Sequence, residues 1–162
     1  MNSVLVTEHF TVAEFACHSG VPYPIDTPDD EDDKRRPWGL TRLVPLCETL
    51  EIIRTACGKP IVIDSGYRTL DYDQQLYDAD KGAGNVAKPQ GSQHPKGRAA
   101  DIVVPSMRAA VLHALILDLY DRCMVPHLGG LGLYSSFVHV DVRPHSGHLA
   151  RWTGTRVANR VT

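Results

Sequence analysis

Apolar residues recur at positions 40, 43, 44, 47, 50 and 53, a spacing of threes and fours that lays one stripe along a helix. The run predicts an amphipathic helix over 40–57, closed by Gly58 in a left-handed conformation with Pro60 just beyond. Upstream, Thr11 followed by Glu14 is a capping box for a short helix over 11–16, with Phe10 and Phe15 turned inward. After the long helix, Pro60 to Asp64 reads as a short buried strand, Ser65 to Thr69 as a turn, and Asp71 as the N-cap of a helix reaching Asp78. Ala99 to Val104 is the next strand, and Ser106 is expected to cap a helix through about Tyr120 that is apolar nearly all round and hence central. Residues 129–134 and 137–143 then predict two antiparallel strands joined by Ser135-Ser136, with a last strand near 151–153. Together these elements predict an α+β fold, a single domain over 1–162 whose central antiparallel sheet has helices packed on one face.

Composition sets limits on function. The 162 residues suit one core, and 43% hydrophobic with 22% charged residues is ordinary globular usage. Seventeen basic against nineteen acidic residues give a net charge of −2, so no basic field exists to draw nucleic acid. No apolar run is long enough to insert into a membrane. The N-terminus lacks the basic start and apolar stretch of a signal peptide, which predicts a protein made in the cytoplasm that reaches other places by another route. Residues 26–36 gather six acids and three bases without a large apolar side chain, a solvated loop that lacks the ligand alternation and central Gly of a calcium loop. The cysteines at 17, 47, 57 and 123 form no C-x-x-C pair, and Cys47 and Cys57 fall ten residues apart on one helix, so free thiols are expected. Gly129-Gly-Leu-Gly132 leads into a strand with no basic residue after it and is no phosphate loop.

Eight histidines remain to be placed. The Gly-, Pro- and Lys-rich stretch 81–97 delivers Ser92-Gln93-His94-Pro95-Lys96-Gly97, followed by Arg98-Ala-Ala-Asp101 on a strand. Gly97 permits a tight reversal, so His94 and Asp101 can face each other across a bend. Downstream, His139 and Asp141 alternate with Val138, Val140 and Val142, which puts the two polar side chains on one face of a strand. His94, Asp101 and His139 make a three-ligand set of a kind zinc accepts with a position left for water. Zinc in such a set lowers the pKa of water and polarises a carbonyl. Spacing alone leaves open the plainer reading of hydrogen-bonded strand residues.

The ordered motifs Ser65-Gly-Tyr-Arg68, Ser92-Gln-His-Pro-Lys-Gly-Arg-Ala-Ala-Asp101, Gly130-Leu-Gly-Leu-Tyr134 and Phe137-Val-His-Val-Asp-Val-Arg143 resemble the zinc D-Ala-D-Ala carboxypeptidase family of murein peptidases. The opening Phe10-Thr-Val-Ala-Glu-Phe-Ala-Cys17 is similar to that family's start, and the resemblance covers about 9–153. It implies Zn2+ on His94, Asp101 and His139, and Arg68 steadying the polarised carbonyl or a substrate carboxylate. The implied substrate is a peptidoglycan stem peptide or cross-bridge, cut at a bond involving a D-amino acid by a carboxypeptidase or endopeptidase that works as a monomer. Ser92 and Gln93 either orient the His94 loop or bind substrate, and Tyr134 is placed, with Tyr67, Phe137 and Trp152, to wall the cleft or to pack.

The chain departs from the family pattern at the general base. Many members carry an acid three residues before the last ligand, where this chain has Ser136, and Phe137 stands where lysostaphin-like relatives have a histidine. Asp141 is the first candidate for the catalytic base, with the alternative that it supports a ligand or Arg68; His145 and His148 stand in reserve, and His113, His9, His18 and His127 read as structural. A rival reading is a non-catalytic cell-wall binding or structural module on the same zinc fold, as in hedgehog-type relatives. The expected setting is cell lysis, with a phage endolysin released through a membrane hole or a virion component.

Overall fold

The apolar stripes of two helices and the apolar alternation of the strands can be buried only against each other, and that pairing makes the core. The structure, a computed structural model, describes residues 4–25, 28–29, 33–80 and 91–155, with the side chains of 28–29 and 33–38 outside the description. A 3-10 turn over Val12–Phe15 is followed by β1 (Pro28–Asp29), β2 (Asp33–Pro37), α1 (Trp38–Cys57), β3 (Val62–Ser65) and α2 (Leu70–Ala79). Then come β4 (Ala99–Val103), α3 (Ala109–Asp121), β5 (Gly130–Leu133), β6 (Val138–Asp141) and β7 (Ala150–Thr153). The α+β fold is as expected, and so is the last strand.

The large sheet has the order β3-β4-β6-β5-β7. Every pairing is antiparallel except β5 with β7, so the expected antiparallel sheet is corrected to a mixed one. The cause is the connection 142–149: the chain reverses after β6 but passes outside β5, and a reversal that skips one strand lands parallel to it. The face built by Ala100, Ile102, Leu131, Val138 and Val140 packs on Leu43, Leu46, Leu50 and Ile53 of α1 and on Leu112, Ile116 and Leu119 of α3. The opposite face carries Asp101, His139 and Asp141, which are buried as well.

Several local expectations change. Helix α1 starts at Trp38 and runs through Pro45, with the Thr49 hydroxyl donating to the Pro45 carbonyl at 2.8 Å. Its end is as predicted: Gly58 has φ +63° and donates to the Arg54 carbonyl at 3.0 Å. The strand expected over 60–64 lies at 62–65, and at the sheet edge Val62 is exposed rather than buried. Thr69, not Asp71, caps α2, because its extended backbone lets its hydroxyl accept from the Tyr72 N–H at 3.2 Å. Ser106 does not cap α3: it sits at φ +64° two residues before the N-cap Arg108, and its hydroxyl accepts from Lys59 Nζ. Nor is α3 buried all round, since Val111 on its outer side is exposed. Within the expected acidic loop the backbones of β1 and β2 pair antiparallel, and the rest of 26–36 lies outside the described residues, as does 81–90 of the long loop.

The N-terminal segment agrees with its motif, the Glu14 carboxylate accepting from the Thr11 N–H at 2.7 Å while Phe10 and Phe15 are buried. Helix α2 belongs to a separate small cluster of Cys17, Tyr72 and Leu76. All four cysteines are free. Among the described residues no helix is long and apolar enough to cross a membrane.

Candidate metal centre

One row of paired positions crosses the sheet from Ser65 through Asp101, His139 and Gly132 to Trp152. Because neighbours in such a row point to the same face, Asp101 and His139 meet side by side. His94 reaches them from the preceding loop. Gly97, at φ +64°, donates to the His94 carbonyl at 3.0 Å, and Arg98 N–H donates to the Gln93 carbonyl at 3.1 Å, so the loop folds back over β4. The reversal read from Gly97 is therefore present.

His94 Nδ1 lies 2.6 Å from the Gly66 carbonyl oxygen, an acceptor only, so Nδ1 carries the hydrogen and Nε2 keeps its lone pair. That lone pair faces Asp101 Oδ1 at 3.3 Å. Gly66 is itself pinned, since a Cβ there would fall on the backbone of Phe15, and Tyr67 N–H donates to the Phe15 carbonyl at 2.9 Å. His139 turns Nδ1 to Asp101 Oδ1 at 2.8 Å and Nε2 to Asp141 Oδ2 at 3.0 Å. One ligand atom from each of His94, Asp101 and His139 lies within 4.8 Å of the others, and all three residues are buried.

Two arginines brace the cluster. Arg68 is 3% exposed and donates from Nε to Ser65 Oγ at 2.9 Å, from one terminal nitrogen to Asp73 at 3.0 Å and from the other to Asp101 Oδ2 at 2.6 Å. Arg143 donates from Nε to Asp141 Oδ1 at 2.8 Å and from a terminal nitrogen to Oδ2 at 2.5 Å. Burial alone would raise the Asp101 carboxyl, but His94, Arg68 and the histidine hydrogen bonds hold it well below the usual carboxylate range. Burial would likewise raise Asp141, yet Arg143 and His139 lower it. Burial, then the Arg68 charge, pushes His94 down. His139 resists the same desolvation because its two carboxylate partners raise it to about 9.

The arrangement fits a divalent ion. It supplies nitrogen and oxygen donors from a loop and two strands, a fixed tautomer on His94, and Asp141 as an outer acceptor for the imidazole of His139. The cluster opens into a cavity of about 50 Å³ lined also by Arg68, Asp73, Ser92, Gln93, Tyr134 and Trp152. Ser92, Gln93 and Tyr134 thus sit at the cavity. Asp141 does not line it and is fully buried behind His139. His145 and His148 are exposed and lie outside its lining, while His9 pairs with Glu51, His127 with Glu48, and His18 with the Asp64 carbonyl.

Sequence reasoning missed three features. Asp73 reads as an exposed acid in a first helical turn, though its place after Ser65-Gly-Tyr-Arg68-Thr69 was the available signal. Arg143 lies two positions beyond Asp141 on the same strand alternation. Gly130 and Gly132 alternate on the polar face, where a Cβ at 130 would fall on the Asp141 carboxylate and one at 132 on the Trp152 ring.

Comparison with known proteins agrees with this geometry. A family model described as Peptidase M15 matches residues 8–141. The peptidoglycan L,D-endopeptidase MepK of Escherichia coli (strain K12), and its namesakes in Escherichia coli O157:H7 and Shigella flexneri, are each 33% identical over 88 residues. The aligned stretch is 53% of this chain and 42% of each relative, so the chain spans less than half of the relatives' length. No solved structure matches at a significant level. The resemblance read from the motifs is borne out, and the chain belongs to the Peptidase M15 family.

Proposed function

We propose that this protein is a zinc-dependent peptidoglycan peptidase that hydrolyses a peptide bond involving a D-amino acid in the stem peptide or cross-bridge. The observation that carries the reading is the convergence of His94, Asp101 and His139 at the floor of a cavity, with Arg68 bonded to the outer oxygen of Asp101. The family match and the activity named for the relatives support it. When bound, zinc supplies an acidified water and polarises the scissile carbonyl.

The residues of the chain divide the remaining work. Gly66 fixes the tautomer of His94, and Asp141, locked by Arg143, accepts from His139 Nε2 and so holds that ring with Nδ1 toward the cluster. We assign Asp141 this positioning role rather than that of base, because it is fully buried and has no surface on the cavity. Arg68 places a fixed positive charge at the cavity, where negative charge grows on the carbonyl oxygen. Hydrolysis adds hydroxyl to the carbonyl carbon and a proton to the leaving amine. Among the described residues, Asp73 is the cavity-lining carboxylate outside the ligand set, and we assign it to that proton traffic. Ser92 and Gln93, which also line the cavity, are assigned to binding the substrate backbone.

Digestion of purified peptidoglycan, read by mass spectrometry of the released fragments, tests the reading. Peptides are expected from the zinc-loaded protein, none after strong chelation, and their return on adding zinc. Cleavage that survives chelation or His94→Ala overturns it. Tight zinc and wall binding without released peptides would establish the non-catalytic module instead. A lytic setting belongs to the same proposal: clearing of permeabilised cells by added protein supports it, and no clearing counts against it.

A further inference from the structure

Two of the three proposed ligands stand on paired strands, where the register of β4 with β6 sets Asp101 opposite His139. His94 has no such support, because the turn that carries it is closed by the Gln93–Arg98 and His94–Gly97 backbone bonds before β4 begins. Its place in the cluster depends on what holds that turn. One hold is the Gly66 carbonyl at His94 Nδ1. Two more act on the far end of the turn. Arg42 donates from a terminal nitrogen to the Lys96 carbonyl at 2.9 Å, and the Tyr23 hydroxyl donates to the Gly97 carbonyl at 2.8 Å. The same hydroxyl lies 3.1 Å from the Gly39 carbonyl, so its one hydrogen is directed at a pair of oxygens, the nearer of which belongs to the His94 turn.

Tyr23 is built in as a strut. It is buried, and its ring meets those of Phe15 and Tyr67 edge-on, at 6.4 and 6.0 Å between ring centres. Tyr67 directly follows Gly66, so the ring and the hydroxyl of one side chain touch both segments that hold His94. The backbone after Tyr23 is pressed against the start of α1, where a Cβ on Gly39 would fall 2.5 Å from the Pro24 carbonyl oxygen and from Ile25 Cα. Tyr23 itself lies outside the cavity lining. We propose that Tyr23 is a positioning residue for the metal centre: its hydroxyl holds the Gly97 carbonyl and so keeps His94 within reach of Asp101 and His139. The inference rests on the zinc reading of that cluster and gives a residue remote from the metal a share in its affinity. Without the hydroxyl, the carbonyl of the buried Gly97 loses a donor, and the turn gains by shifting toward another.

The test reads metal binding alone, so its outcome does not depend on whether peptidoglycan is cut. Metal-free wild type, Tyr23→Phe and Thr49→Val are titrated with zinc against a chromogenic chelator, loaded with Co2+ for visible spectra, and melted without metal. Tyr23→Phe keeps the ring and deletes only the hydroxyl. Thr49→Val is the control, since it deletes another buried hydroxyl whose partner, the Pro45 carbonyl, lies within the same helix. Both variants are expected to melt about 2–4 °C below wild type, the effect of one lost buried hydrogen bond. Tyr23→Phe should in addition bind zinc about 10-fold more weakly, the lower end of the range for losing a group that supports a ligand, and should shift the Co2+ bands at saturation. Thr49→Val should leave affinity and spectrum at wild-type values. If Tyr23→Phe melts lower but binds zinc as tightly as wild type, Tyr23 serves the core alone and the proposal is overturned. Equal weakening of zinc binding in both variants also overturns it, because affinity then follows stability and not the His94 turn. A wild type that binds no zinc overturns the zinc reading and the proposal with it.

Discussion

Strands β4 and β6 present two faces from one backbone, and both are buried. Ile102 and Val140 on one side are 0% exposed, and Asp101 and Asp141 on the other are 2% and 0%. Burial is thus not what separates them. On the apolar side it is favourable in itself, through area removed from water and close packing. On the polar side each charge loses its hydration, and the contacts of Arg68 and His139 with Asp101 and of Arg143 and His139 with Asp141 offset that loss. Such ion pairs are weak evidence for stability, because well-packed apolar residues do as well or better. The polar face is therefore organised for holding a charge in place, and its parts depend on one another where those of the apolar face are nearly interchangeable.

Breaking the polar face at its hub should give the largest effect. Asp101→Ala removes a proposed ligand and leaves the buried Arg68 with Asp73 as its carboxylate partner among the described residues. An uncompensated buried charge costs on the order of 3–5 kcal/mol, and the Asp73 contact places the expectation near the lower end. Peptide release should vanish, and the melting temperature should fall by about 6–12 °C. A variant that melts like wild type would show that the arginine brace is not coupled to Asp101.

The same coupling predicts a pH dependence in the metal-free protein. His139 is raised to about 9 in the fold, against about 6.5 when unfolded, so its contribution is fully present below about pH 6.5 and is lost as pH rises through about 9. Asp101 is depressed, so its contribution is present above about pH 4 and is lost on further acidification. Melting temperature should peak between these limits. Saturating zinc should abolish the alkaline decline, because the ion replaces the proton shared between His139 and its carboxylates. An alkaline decline that is the same with and without zinc would argue against these ligands.

A smaller perturbation separates positioning from ligation. Asp141→Asn keeps the shape but weakens the acceptor of His139 Nε2–H and halves the bond to Arg143. Zinc affinity is expected to drop by about 10–100-fold, with activity recovered at high zinc. A base would give the other result: full zinc affinity and activity that no amount of metal restores. Asp73→Asn is the complementary variant, expected to retain zinc and lose turnover.

How much of this was legible in the sequence follows the same division. Alternation of apolar residues is a local, additive signal, so the strands at 99–103 and 138–141 and the α1 stripe could be read from spacing, whereas spacing left the grouping of His94, Asp101 and His139 open and the resemblance of the motifs carried it. The braces could not be read from spacing. Asp73 comes from a helix that belongs to another cluster, and its bond to Arg68 is made by a guanidinium that also reaches Asp101, 33 residues further along the chain. The glycines of β5 read as a failed phosphate loop because their purpose is the room they leave for Asp141 and Trp152 on neighbouring strands. The caps at Asp71 and Ser106 were misplaced because Thr69 and Arg108 hold the extended backbone that a cap requires.

The smallest expected effect lies on the apolar face. Ile102→Val deletes one methylene next to the backbone that carries Asp101, in a core position packed by α1 and α3. The cost should be about 0.5–1.5 kcal/mol, a shift of roughly 2–5 °C in melting temperature. If the two faces are independent, zinc affinity and kcat/KM stay at wild-type values, because the Asp101–His139 pairing is set by backbone register and not by the volume behind it. Should this variant instead weaken zinc binding by tenfold, a gap of one methylene has been transmitted through the strand. The apolar face would then be part of the metal site, and the ion pairs on the polar face would owe their geometry to core packing.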